Sequence, residues 1–160
     1  MENQQTKPQE STTPSVGGKA DLGKRFIAAI IDAVIAAIVG LIPMIGGFIG
    51  AAYMLLRDGF SVEFMDHRSL GKKLMKLRPV RLDGGTMDLP TSAQRNWMFA
   101  LGALTQALLY IPVIGWVLIP IVGLAALIIG VMEIVLVITN EDGRRWGDRL
   151  ANTQVIEVDD

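Results

Sequence analysis

Asp32 is the one carboxylate inside the apolar run from Phe26 to Ile42, and Arg25 stands at the mouth of that run. An ionisable group in hydrocarbon costs roughly 2.5–3.5 kcal/mol on insertion scales, so an acid there is kept with a partner or for a task. Arg25 and Asp32 are seven residues apart. On a helix that is two turns less about 20°, which puts both on one face. Glu133, between Gly130 and Ile138, is a second acid in an apolar run. Asp32 lies about 10 Å of helix after Arg25 and Glu133 about 12 Å before Glu141, so the two acids are expected at similar depth. Carboxylates at one level can share a proton or bind a cation, with raised pKa values. The alternative is purely structural: Asp32 pairs with Arg25, and Glu133 is neutral or hydrogen-bonded to Gln106 or Thr105 on a neighbouring helix.

These groups need a membrane frame. The 160 residues are 51% hydrophobic, and the apolar residues come in long blocks rather than stripes, which points to an integral membrane protein. Two blocks stand out, Phe26 to Leu56 and Asn96 to Thr139. Pro43 with Gly46-Gly47 interrupts the first, and Pro112 with Gly115 the second. Helix breakers in mid-block predict a turn, so each block reads as a helical hairpin. All 15 Lys and Arg residues lie before Phe26, between Arg57 and Arg95, or after Thr139. Two hairpins place every one of them on a single side, which the positive-inside rule makes cytoplasmic.

The expectation is therefore an all-α membrane protein of four transmembrane helices, arranged as two hairpins, in the cell membrane with both termini cytoplasmic. Residues 1–20 form a polar tail expected to be disordered, 21–58 the first hairpin, 59–94 a basic cytoplasmic loop, 95–140 the second hairpin and 141–160 a cytoplasmic segment. The second helix is the weak element, because Ile45 to Leu56 reaches only about 18 Å against a hydrocarbon core of about 30 Å.

The halves resemble each other. Ile42-Pro43-Met44-Ile45-Gly46 matches Ile111-Pro112-Val113-Ile114-Gly115, and Arg68-Ser69-Leu70-Gly71-Lys72-Lys73-Leu74 matches Arg144-Arg145-Trp146-Gly147-Asp148-Arg149-Leu150. Two hairpins in the same orientation make a parallel repeat. Each unit ends in a β-prone stretch, Leu77 to Leu82 and Thr153 to Val158, and the two are candidates to pair as a small sheet.

Arg25 at the start of the first span, Asp32 in its middle, and the later Gly147-Asp148-Arg149-Leu150-Ala151-Asn152-Thr153 resemble the RDD family of membrane proteins. So does Leu70-Gly71-Lys72-Lys73-Leu74-Met75-Lys76-Leu77-Arg78-Pro79-Val80. The likeness runs from about Asp21 to Ile156. It implies that Arg25 and Asp32 are signature residues and that Asp148 is the second signature aspartate, with Asp58 as a competitor. It also implies a transport role with unassigned ligands. Glu133 has no obvious counterpart in that signature.

Arg68, Lys72, Lys73, Lys76, Arg78 and Arg81 form a basic stretch without an acid. Near an anionic leaflet each contributes about 1 kcal/mol of attraction, so these six are candidate lipid-headgroup contacts, or simply a topology signal. Ser69 can cap a short helix with Leu70 and Leu74 on one face. No aromatic platform accompanies the charge, which argues against nucleic acid. The chain has no cysteine and one histidine, so a metal site is not expected. No nucleotide-binding or triad motif is present, and neither a cofactor nor chemistry on a substrate is expected.

Two functional expectations follow. One is a small proton or monovalent-cation transporter or exchanger, self-associated, using Arg25, Asp32, Glu133, Asp148 and Gln106. The other is a non-catalytic scaffold that binds anionic lipids or partner membrane proteins.

Overall fold

A computed structural model describes residues 19–159. The proposed tail therefore lies outside the described residues up to Gly18. Its last two positions are held in place: Ala20 is buried, and Lys19 donates to the carbonyls of Ile138 and Asn140.

Four helices carry the apolar blocks: α1 (Leu22–Gly40), α2 (Gly46–Leu56), α5 (Ala100–Leu108) and α6 (Ile114–Thr139). Between and after them lie α3 (Leu70–Leu74), β1 (Leu77–Arg81), α4 (Leu89–Arg95), α7 (Trp146–Leu150) and β2 (Thr153–Glu157). A 3₁₀ turn, Trp97–Phe99, joins α4 to α5. The apolar helices pack in a row, α1 on α2, α2 on α5 and α5 on α6.

Among the described residues one helix, α6, is long and apolar enough to cross a bilayer by itself, and only 6% of its apolar window is buried. A core helix of a soluble protein would be mostly covered, whereas this one turns Ile121, Leu127 and Ile134 outward, as a lipid-facing helix does. The expected four full spans are thus not matched by four long helices. Helix α1 has 19 residues and carries Lys24, Arg25 and Asp32, while α2 stops at 11. A tight turn fixes where the second helix of each hairpin, α2 or α6, begins. Ile45 N–H donates to the Pro43 carbonyl and Ile114 N–H to the Pro112 carbonyl, each at 2.8 Å. Both turns force a non-glycine residue to positive φ, Met44 at 67° and Val113 at 65°.

The two β-prone stretches pair antiparallel with Leu77 opposite Glu157, Pro79 opposite Val155 and Arg81 opposite Thr153. Gly71 to Gly147 and Pro79 to Val155 are the same offset along the chain. The sheet therefore pairs each half with the equivalent segment of the other about a local two-fold axis through Pro79 and Val155. Lys76 and Asn152, at equivalent positions just before the strands, both take positive φ (54° and 49°). The small core beneath the sheet is Ala20, Ala28, Leu77 and Val155.

Candidate functional site

The ionisable residues converge where α3 and α7 dock under the ends of the apolar helices. Asp32 is 1% exposed. Its carboxylate accepts from Arg57 Nη1, from Tyr53 Oη and from the Gly71 N–H, each at 2.9 Å. The expected Arg25 partnership is not what forms. Arg25 donates to the Gly143 carbonyl and lies 3.5 Å from Asp148. Two helical turns separate Arg25 from Asp32 by about 10 Å along the axis, a span that shared facing does not close. The partner of Asp32 is instead the arginine that ends α2. Arg57 also sits over the Phe99 ring, 5.3 Å from its centre.

Asp58, fully buried, receives Lys72 Nζ at 2.6 and 2.8 Å, the Ser69 N–H at 3.2 Å and Asn96 Nδ2 at 3.3 Å. Asp148, also fully buried, is held by Arg145 through its backbone N–H and its guanidinium. Arg95 joins the two acids, with Nε 2.8 Å from Asp148 and Nη1 3.7 Å from Asp58. Neither Arg95 contact is aligned as a hydrogen bond, so both nitrogens stay unsatisfied, as does Arg57 Nε.

Glu133 is 3% exposed. Its carboxylate accepts the N–H groups of Trp146 (2.7 Å) and Gly147 (3.1 Å) at the start of α7. Helix N-termini leave such donors unpaired, and a carboxylate completes them. The expected polar partners of Glu133 are elsewhere. Thr105 bonds within its own helix to Leu101, and Gln106 lies against Gly47 of α2.

Both short helices dock through a glycine at their second position. A Cβ on Gly71 would sit 2.1 Å from the Ala28 carbonyl, and one on Gly147 would sit 2.0 Å from the Arg95 carbonyl. That close approach is what lets Gly71 reach Asp32 and lets α7 rest on α4. Ser69 caps α3 by accepting from the Lys72 N–H.

Burial raises the pKa of Asp58, but Lys72, Arg95 and Arg57 more than offset it, and the carboxyl stays well below its usual range. Asp148 behaves alike: burial pushes up, and Arg145 and Arg95 pull it down further. Lys72 is lowered to about 7, first by burial and then by Arg57 and Arg95, with Asp58 opposing.

The six basic residues of the loop do not form a free cationic face. Lys72 is buried on Asp58 and Arg68 is buried beside Asp66. Arg78 also pairs with Asp66, and Arg81 with Asp83. Lys73 caps the carbonyl of Phe64, and Lys76 alone of the six is classed as exposed. The clustering of charge in sequence did not reveal these acids, because they come from turns flanking the stretch. Arg57, Arg95 and Arg145 were missed as site residues. Their signal was their position at the ends of apolar blocks, where the topology argument absorbed them.

Between α1 and α6, the two ends of the row, lies a cavity of about 420 Å³. Its polar floor holds Arg25, Arg57, Lys72, Arg95 and Arg145 with Asp32 and Glu133, and its walls include Phe26, Ala29, Gly130 and Ile134. Asp32 and Glu133 thus line one cavity. Asp58 and Asp148 stand behind it, each in contact with a cation of the floor. Among the described residues, no three His, Cys, Asp or Glu are grouped to hold a metal.

The sequence model of the RDD family matches residues 43–152, which takes in Arg57, Asp58, Arg95, Glu133 and Asp148 and begins after α1. No curated protein and no solved structure matches the chain.

Proposed function

The chain belongs to the RDD family and is a membrane protein, and on that premise we propose that it binds an anion in the cavity between α1 and α6. One observation supports this above the rest. Five cations form the floor of the cavity, while the four carboxylates in and behind it are already filled, Asp32, Asp58 and Asp148 by cations and Glu133 by backbone N–H groups. The set carries one surplus positive charge when all members are ionised. Arg57 Nε has no hydrogen-bond acceptor, and two nitrogens of Arg95 have only misaligned ion-pair contacts, at 2.8 Å to Asp148 and 3.7 Å to Asp58. Buried donors of a charged group are costly to leave unmade, so a site with donors to spare and acceptors exhausted favours an anionic ligand over a cation.

In this reading the charged end of the molecule is cytoplasmic, because the lysines and arginines among the described residues gather there. The helices α1, α2, α5 and α6 enter from that side, with α2 and α5 as short elements that leave the bilayer locally thin. Thermal unfolding in a neutral detergent tests the proposal. Inorganic phosphate and hexyl phosphate raise Tm with concentration, as ligands of the folded state must, while NaCl and KCl at matched ionic strength do not. Stabilisation by Na⁺ or K⁺ without any effect of phosphate overturns it.

A second reading, a self-associated exchanger of protons or monovalent cations, is favoured by the shared cavity of Asp32 and Glu133. A row of four helices, two of them short, needs a further copy to enclose a path. Flux in reconstituted vesicles decides it: Asp32→Asn must abolish transport with folding intact, and a wild-type protein that moves neither protons nor Na⁺ removes the reading.

A further inference from the structure

The cavity has a polar floor and an apolar mouth, and the mouth faces the direction in which lipid would lie. Phe26 is 66% exposed, Ile134 60% and Ile138 58%. All three line the cavity. A small hydrophilic anion would satisfy the floor and leave this rim bare. An amphiphile satisfies both.

We propose that the cavity is a specific site for one anionic phospholipid, its phosphodiester seated against Arg57 and Arg95 and its acyl chains leaving between α1 and α6. The inference rests on the anion-binding reading and adds the source of the anion. Four features of the site carry it. Arg57 and Arg95, with side chains 5% and 1% exposed, line the cavity; Arg57 Nε makes no hydrogen bond, and Arg95 holds its two acids only through misaligned ion-pair contacts. A phosphodiester brings one negative charge and unpaired oxygens to a floor that carries one surplus positive charge when Lys72 is protonated. The volume suits a headgroup, since pockets for compact ligands run from about 300 to 1,000 Å³. The exposed walls are aliphatic and aromatic, and apart from Glu133 on the floor the α6 residues that line the cavity are Gly130, Ile134, Val137 and Ile138, none with a polar side chain.

Gly130 supplies the decisive variant. It lines the cavity, and a Cβ built on it meets nothing within 4 Å. Gly130→Leu therefore adds apolar bulk on the chain path and changes no charge, and leucine is a better helix former than glycine, so the fold is retained. The probes are dihexanoyl phosphatidylglycerol, dihexanoyl phosphatidylcholine and inorganic phosphate, each titrated by calorimetry into the full chain in neutral detergent. Native mass spectrometry of protein extracted from membranes reports which lipid stays bound and whether the chain is monomeric.

Phosphatidylglycerol is expected to bind about tenfold or more tighter than either other probe, and Gly130→Leu to weaken it by a similar factor while leaving phosphate binding unchanged. Arg57→Gln weakens both phosphatidylglycerol and phosphate. Equal binding of phosphatidylcholine overturns the proposal, because charge then does not select the occupant. Phosphate binding as tight as phosphatidylglycerol, unaffected by Gly130→Leu, overturns the lipid source and leaves the anion-binding reading standing. A dimer that loosens on Gly130→Leu and retains no lipid overturns it in favour of a second copy in the gap. Absence of binding by phosphate and phosphatidylglycerol alike removes both readings.

Discussion

The docking of α3 on α1 and that of α7 on α4 are two versions of one joint with opposite electrostatics. Each presents a glycine to a backbone carbonyl, 2.1 and 2.0 Å from where a Cβ would stand. Each offers an N–H near its first turn to a buried carboxylate, Gly71 to Asp32 and Gly147 to Glu133. The third position is then inverted. Lys72 reaches an acid, Asp58, whereas Asp148 reaches arginines, Arg145 and Arg95. The origin of the capping acid differs too, since Asp32 comes from the first helix of its half and Glu133 from the second. Backbone geometry is therefore conserved between the joints, while charge is free to reverse so long as each buried group meets its opposite. The reversal has a consequence: Arg95 can bridge both joints, because an acid faces it from each side.

Breaking the joints one at a time separates these contributions. Asp32→Asn should have the largest effect, since it strips the ion partner from Arg57 in a buried setting. The expected loss is about 3–5 kcal/mol in denaturant or thermal unfolding of the detergent-solubilised chain. An effect no larger than that of Glu133→Gln would show that the Arg57 ion pair adds nothing to the Asp32 joint. Gly71→Ala and Gly147→Ala should come next and match each other at about 2–3 kcal/mol, because both drive a methyl into a carbonyl. Unequal losses would mean that one joint yields and the shared geometry is superficial.

Glu133→Gln should be milder, about 1–2 kcal/mol, because its partners are neutral backbone donors and the amide oxygen still accepts one of them.

Taken per pH unit, the smallest effect is a pH slope, and its sign follows from the inversion. Lys72 is lowered to about 7 from an unfolded value of 10.5. Between those values the unfolded chain binds more protons, so stability rises with pH there, by up to about 1.4 kcal/mol per pH unit. Lys72→Met should flatten that slope in unfolding measured from pH 7 to 10. Asp58 and Asp148 act in the opposite range. Their folded values lie below the unfolded 3.8, so their contribution is present above that pH and is lost as pH falls beneath it.

The apolar blocks, the breakers at Pro43 and Pro112, the Ser69 cap and the two β-prone stretches could be read directly, because each is a local pattern whose physics acts within a few residues. The internal repeat was readable for the same reason, as the turns at Met44 and Val113 are built from adjacent residues. Helix length was read less well. The breakers were visible, but where α2 ends depends on Arg57 finding Asp32 across the bundle. Sequence determined which residues are buried acids in apolar surroundings, since desolvation attaches to the residue and its neighbours in the chain. It did not determine their partners. The pairing of Asp32 with Arg57, of Arg25 with Asp148, and of Glu133 with the α7 N-terminus joins residues 25, 123 and 13 or 14 positions apart. Tertiary structure alone decided these, because a buried charge takes whichever opposite group or free N–H the packing of helices brings within about 3 Å, and helical facing by itself says nothing of what arrives from another helix.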